Sequence, residues 1–123
     1  MTTQEKPPRK SGIAHFFAAA GYSLGGLKRL AQESAFRQEV ALIAGLLVLF
    51  LICGASLPEI LGLLAIGLVL IAVEALNTAL EVLVDHLSPG WSQFAKDAKD
   101  LGSLAVACTI GALVLYSGVA LIW

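Results

Sequence analysis

Three long apolar stretches organise the chain. Val40 to Leu57 contains no charge, Ile60 to Val73 contains none, and Leu101 to Trp123 contains none. A bilayer crossing needs roughly 20 helical residues at about 1.5 Å each. The first stretch just reaches that length and the third reaches it easily. The second reaches it only if its helical pattern runs on to about Leu87, through Glu74, Asn77 and Glu81. The pattern therefore predicts spans at about 38–57, 60–87 and 99–122. Ser56-Leu57-Pro58-Glu59 is read as the tight turn between the first two spans.

Upstream, residues 12–37 alternate as an amphipathic helix. Ile13, Phe16, Phe17, Leu24, Leu27 and Leu30 form its apolar side, and Lys28, Arg29, Gln32 and Glu33 its polar side. Such a helix lies on a membrane surface or packs on the bundle facing water; the surface is favoured. Gly25-Gly26 is the expected break within it. Residues 1–10, with Pro7-Pro8, read as a disordered tail, and residues 11–123 as one membrane-embedded domain. The fold class expected is all-α: three transmembrane helices plus an N-terminal surface helix.

Composition strengthens this reading. Apolar residues make up 58 %, charged residues 14 %, and mean hydropathy is +0.84. Soluble domains carry about 25 % charged residues. A net charge of −1 gives no case for nucleic acid. Cys53 and Cys108 sit in apolar runs, where cysteine is usually a small hydrophobe, and they lack metal-ligand spacing. The N-terminal stretch lacks the clean apolar core of a signal peptide. Of the eight Lys and Arg, six precede residue 40 and the others are Lys96 and Lys99. In a three-span topology all eight fall on one side, which should be cytoplasmic. The N-terminus is therefore expected to be cytoplasmic.

The charged residues within the second span carry the candidate chemistry. At 100° per residue, Glu74, Asn77, Glu81 and Asp85 project at about 0°, 300°, 340° and 20°. They form one stripe, with Leu76, Leu80, Val82, Leu83 and Val84 covering the rest. An ionisable group at bilayer depth is costly and is by default a functional candidate; the bland alternative is a helix that leaves the membrane at Glu74. Carboxylates one and two turns apart can hold Mg²⁺ through oxygen, and a poorly hydrated carboxylate suits a general base.

The following loop, residues 86–100, contains the turn Pro89-Gly90, then Trp91 and Phe94, then Lys96-Asp97 and Lys99-Asp100. Trp91 is either an interface aromatic or a stacking platform for a nucleobase. The lysines are either positive-inside charge at a solvated helix start or partners for phosphate oxygens. Gly21 to Lys28 has glycines at P-loop spacing but lacks the Gly-Lys-Ser/Thr ending and a preceding strand, so it is rejected. These observations amount to a buried acidic stripe beside a basic loop. They do not by themselves specify a nucleotide.

Four blocks, in order, resemble the bacterial integral-membrane diacylglycerol kinases. They are Ala-Ala-Gly-Tyr-Ser (19–23), Glu-Ser-Ala-Phe-Arg-Gln-Glu (33–39), Glu-Ala-Leu-Asn-Thr-Ala-Leu-Glu-x-x-x-Asp (74–85) and Ala-Lys-Asp-Leu-Gly-Ser-Leu-Ala-Val (98–106). The resemblance covers roughly residues 13–120. It implies a homotrimer with active sites shared between subunits, transferring the γ-phosphate of MgATP to diacylglycerol to give phosphatidic acid. It implies Glu74 as the base for the lipid hydroxyl and Asn77 as a positioning group. Glu33 and Glu81 would be carboxylates for Mg²⁺ and ATP, Lys99 and Asp100 phosphate and nucleotide contacts, and Tyr22 a nucleotide-site residue. Arg37, Glu74 and Ser103 would meet the lipid. Gly102-Ser103 after the second Lys-Asp selects Lys99-Asp100 over Lys96-Asp97. His15 and the loop Pro89-Gly90-Trp91-Ser92 depart from the family's pattern.

Three alternatives stand beside this. An undecaprenol kinase of the same family would share the chemistry and change the acceptor. A non-enzymatic proton- or ion-conducting subunit would use Glu74 as a relay and turn over no ATP. A structural protein would use the stripe to hold helices together and tolerate Glu74→Gln.

Overall fold

The computed structural model describes residues 3–123. Four helices follow one another: α1 (Gly12–Leu30), α2 (Ser34–Ile52), α3 (Leu57–Leu87) and α4 (Gln93–Ile122). The described residues contain no strand. α2, α3 and α4 are each long and apolar enough to cross a membrane, so the chain is an integral membrane protein. Residues 3–11 carry no regular secondary structure, and Met1 and Thr2 lie outside the described residues.

The turn between the first two spans falls earlier than the pattern predicts. Gly54 takes φ +70°, donates to the Leu51 carbonyl at 3.3 Å, and is followed by an Ala55 N–H bond to the Phe50 carbonyl at 2.9 Å. This left-handed glycine with two backward bonds ends α2. Ser56-Leu57-Pro58-Glu59 is instead the first turn of α3. Ser56 Oγ accepts from the Glu59 N–H and the Glu59 carboxylate accepts from the Ser56 N–H, both at 3.4 Å. That reciprocal cap, with a proline in the first turn, starts a helix.

The break between α1 and α2 also moves. The helix runs through Gly25-Gly26, since neither glycine adopts positive φ. Each costs only about 1 kcal/mol in a helix interior. The chain turns at Ala31–Glu33, so the surface helix ends at Leu30 and not near residue 37. There Gln32 and Glu33 donate to the Arg29 and Leu30 carbonyls, and Glu33 is extended. Arg37 Nη1 donates to the Ala31 carbonyl at 3.0 Å and Arg29 pairs with Glu33 at 2.7 Å. Leu30 and Phe36, both buried, anchor the two sides.

α3 is the hub: it packs along α4 most extensively, along α2, and against α1. Phe50, Leu63, Leu70, Val106 and Leu113 form the core. Tyr116 stacks on Phe50 at 6.4 Å and donates to the Glu59 carbonyl at 2.8 Å. Gly62 leaves room for that hydroxyl, which a Cβ would overlap. Relative to Glu74, the buried positions Leu63, Gly67 and Leu70 project at about 340°, 20° and 320°. The acidic stripe therefore continues the core-facing stripe of the same helix. The fold places Glu74 among the packed helices and leaves Leu64, Leu68, Val69 and Leu76 facing outward.

Candidate functional site

Glu74 is 4 % exposed. Thr78, one turn on and also buried, donates its hydroxyl to Glu74 Oε1 at 3.5 Å. From α2, the carboxyl of Glu39, 5 % exposed, lies beside Glu74. Glu39 Oε2 has no hydrogen-bond partner among the described residues. Two neighbouring buried carboxyls are a place where a proton or a positive charge can be received. Glu39 had not been picked out among the candidate residues. It shares an arc with Phe36, Ile43, Leu46 and Phe50, at about 300°, 0°, 340°, 280° and 320° respectively. An acid inside that apolar periodicity is the signal that could have found it.

One turn nearer the loop, Asn77 donates from Nδ2 to Glu81 Oε1 at 3.4 Å. Its Oδ1 is buried without a partner and lies against Gly102 of α4, where a Cβ would overlap it. Gly102 thus lets α4 approach the carboxamide. Gly102→Ala is expected to displace Asn77, break its bond to Glu81 and destabilise the α3–α4 packing by about 1–3 kcal/mol, as for overpacking. Circular dichroism and thermal unfolding in detergent together check this, with helicity retained.

At the loop end, Lys99 Nζ bonds Asp85 Oδ1 at 2.5 Å and lies close enough to Glu81 to feel its charge. Asp100 pairs with Lys96 at 2.6 Å. These exposed pairs are screened by water, so a phosphate can replace a carboxylate partner at little cost. Asp85, Ser88, Trp91, Lys96, Lys99 and Asp100 surround a concavity of about 370 Å³. On the other side of α3 an apolar groove of about 640 Å³ runs between α1 and α3, past Leu27, Leu30, Ile71, Thr78 and Leu83.

The remaining candidates are dispersed. Tyr22 is 72 % exposed on α1, without a side-chain hydrogen bond among the described residues. Glu33 is held by Arg29 at the α1–α2 break, and Arg37 by the Ala31 carbonyl. Ser103 is exposed beside Gly102. The structure therefore brings together Glu39, Glu74 and Thr78, then Asn77 with Glu81 and Gly102, then Asp85 with Lys99. Among the described residues Glu33, Arg37, Tyr22 and Ser103 make no side-chain hydrogen bond or ion pair with these groups.

Among the described residues no three His, Cys, Asp or Glu side chains cluster as a closed metal cage. Glu81, and Glu33 separately, offer single carboxylates, oxygen donors of the kind Mg²⁺ takes one or two of at a time beside substrate phosphates and water.

These features define a helical integral membrane protein with three spans, whose central span buries Glu74 beside Glu39 of α2 and ends beside Lys99. The chain belongs to the prokaryotic diacylglycerol kinases: the family model described as "Prokaryotic diacylglycerol kinase" matches residues 21–121. It is 44 % identical over 115 residues to a diacylglycerol kinase of Sinorhizobium sp, covering 94 % of this chain and 84 % of that one. It is 37 % identical over 103 residues to the diacylglycerol kinase of Escherichia coli K12, covering 81 % and 83 %. With that of Haemophilus influenzae it shares 32 % over 115 residues, covering 90 % and 96 %.

Proposed function

We infer that this chain is a diacylglycerol kinase, transferring the γ-phosphate of ATP to the lipid hydroxyl to give phosphatidic acid. Family membership over most of the chain supports the activity, and the buried Glu39–Glu74 contact is the observation that carries the chemistry. Residues 11–123 act as one membrane-embedded kinase domain. All eight Lys and Arg lie at one end of the three spans, which supports a cytoplasmic N-terminus in a bacterial inner membrane. The conducting, structural and undecaprenol readings are not favoured.

Phosphoryl transfer depends on positioning and charge neutralisation more than on covalent chemistry. Glu74 accepts the proton of the attacking lipid hydroxyl, and Glu39 shares it. Thr78 holds one Glu74 oxygen in place. Asn77, braced by Glu81 and Gly102, orients the reacting groups. Glu81 and Glu33 would hold Mg²⁺, which draws charge from the phosphate oxygens when bound. Lys99 leaves Asp85 for a phosphate oxygen, and Asp100 and Tyr22 contact the nucleotide. Arg37 and Ser103 meet the lipid, whose chains can lie in the apolar groove between α1 and α3. Depth along α3 separates the substrates: the loop end faces water, and Glu74, two turns deeper than Glu81, faces the lipid alcohol. The outward-facing apolar surface and the dispersed Glu33 and Tyr22 support a homotrimer with shared sites.

The test is phosphate transfer in micelles with and without free divalent cation. Chelation with EDTA should abolish labelled phosphatidic acid and added Mg²⁺ restore it. Full activity under chelation would remove Glu33 and Glu81 from the metal role.

A further inference from the structure

The charge balance around Glu74 is incomplete. Glu39 and Glu74 are both buried and lie side by side. Buried charges in proteins are normally paired, yet among the described residues neither carboxyl pairs with a Lys, Arg or His. Arg37 is the one cation of α2. Two residues before Glu39, it projects about 200° away from it, and its guanidinium is held by the Ala31 carbonyl. Thr78 gives its hydroxyl proton to Glu74 Oε1. Glu39 Oε2 is buried and accepts no hydrogen bond among the described residues. The acid pair has room for a positive charge that none of these side chains supplies.

The apolar groove between α1 and α3 leads to this pair. Relative to Glu74, Thr78 projects at about 40°, and the groove-lining residues Ile71, Val82, Ala75 and Ala79 at about 60°, 80°, 100° and 140°. Thr78 stands where the two meet: it lines the groove and bonds Glu74. From Ile71 to Leu83 the groove follows about 18 Å of α3, and its volume is about 640 Å³. Arg29, which also lines it, is already paired with Glu33. An inorganic cation would match the acids and leave the groove unused. A neutral lipid would fill the groove and leave the acids without a counter-charge. An alkyl chain that ends in a primary ammonium satisfies both, and its three N–H donors suffice for Glu39 Oε2 and Glu74 together.

We propose that the Glu39–Glu74 pair and the α1–α3 groove together bind long-chain primary amines, with the ammonium on the two carboxyls and the chain in the groove. Such an amine is a dead-end ligand that competes with the lipid alcohol. The competition rests on the reading of Glu74 as the base for the lipid hydroxyl, because an ammonium held on that carboxylate offsets the charge that would draw the proton. The binding itself needs only the buried acids and the groove. It involves hydrogen bonds and charge alone, and no covalent bond changes.

The test titrates full-length protein, in neutral detergent micelles without ATP, with tetradecylamine and with tetradecanol, and reads binding by calorimetry. The wild-type chain should bind the amine about tenfold or more tighter than the alcohol, as for one charge-assisted hydrogen bond gained. Glu39→Gln, nearly isosteric, should weaken the amine about tenfold and leave the alcohol unchanged. Ala79→Leu fills the groove and leaves both acids in place; it should weaken both ligands alike. Circular dichroism shows that each variant is folded. In the kinase assay tetradecylamine should raise the KM for diacylglycerol and leave that for ATP unaltered. Equal binding of amine and alcohol by the wild-type chain would overturn the proposal, whatever the variants do. So would undiminished amine binding by folded Glu39→Gln protein, which would move the amine to the micelle surface or to another acid. A Glu39-dependent amine site on a chain that phosphorylates no lipid would sink the kinase reading and leave the binding site standing.

Discussion

Glu74→Gln protein should fold, bind MgATP with near-normal affinity, and phosphorylate diacylglycerol about 10²- to 10⁴-fold more slowly, the range supplied by a positioned general base. The substitution is nearly isosteric. It replaces a buried carboxyl by a carboxamide that can still accept from Thr78 and can donate to Glu39. Packing around Leu70 and Val106 need not change. What is lost is the ability to take a proton from the lipid hydroxyl. The loss should therefore appear in kcat, with the KM for ATP little altered, because Glu74 is buried and separated from Lys99 by three turns or so of α3. Helicity by circular dichroism and rate measurements over a range of ATP concentrations check both halves. A variant with wild-type kcat would remove Glu74 from the chemistry and favour a purely structural stripe.

The second large effect is expected at the other end of the site. Lys99→Met should lower kcat/KM for ATP by about 10²- to 10³-fold, as for removal of one preorganised charge from a developing transition state. Folding should be almost unaffected. The Lys99–Asp85 pair is exposed on both partners, with side chains 43 % and 63 % accessible, and water screens such a pair so that it adds little to stability. Methionine keeps the length of the stem and removes only the charge. Lys99→Arg should recover part of the activity, since the charge returns with a different donor geometry. Activity measured across ATP concentrations, beside thermal unfolding in detergent, separates the two contributions. A loss of stability matching the loss of activity would make Lys99 a strut between α3 and α4.

Much of this arrangement is legible in the sequence because lipid imposes simple rules. Uncharged runs reveal the spans. The stripe of Glu74, Asn77, Glu81 and Asp85 follows from helical periodicity alone, and the structure turns Glu74 and Asn77 into the bundle with Glu81 half-buried. The misplacements have local causes. Ser56 to Glu59 carries proline and a small polar residue, which mark a turn and a helix start equally well; the capping bonds decide for the start. Gly25-Gly26 suggests a break, but the helix ends where Leu30 and Phe36 must both be buried across a bend. A local cap decided the first position and tertiary packing the second.

The site was less legible than the spans. Glu39 follows Arg37 and Gln38 and so reads as the edge of a polar segment, and only its partnership with Glu74 reveals it. Gly102 was useful in the sequence for register, whereas in the structure it is the gap that admits Asn77. Lys99 was expected beside phosphate, and its resting partner Asp85 could not be inferred from spacing across a loop. Tyr22 and Glu33 lie on or after α1, away from the buried carboxyls and from Lys99, so nothing in the helical pattern alone marks them.

The most direct measurement is transfer of labelled γ-phosphate from ATP by the wild-type protein in Mg²⁺-containing micelles, with diacylglycerol and undecaprenol offered side by side. The account predicts labelled phosphatidic acid as the main product. Labelling of undecaprenol alone, or of neither alcohol by protein shown to be folded, would contradict it.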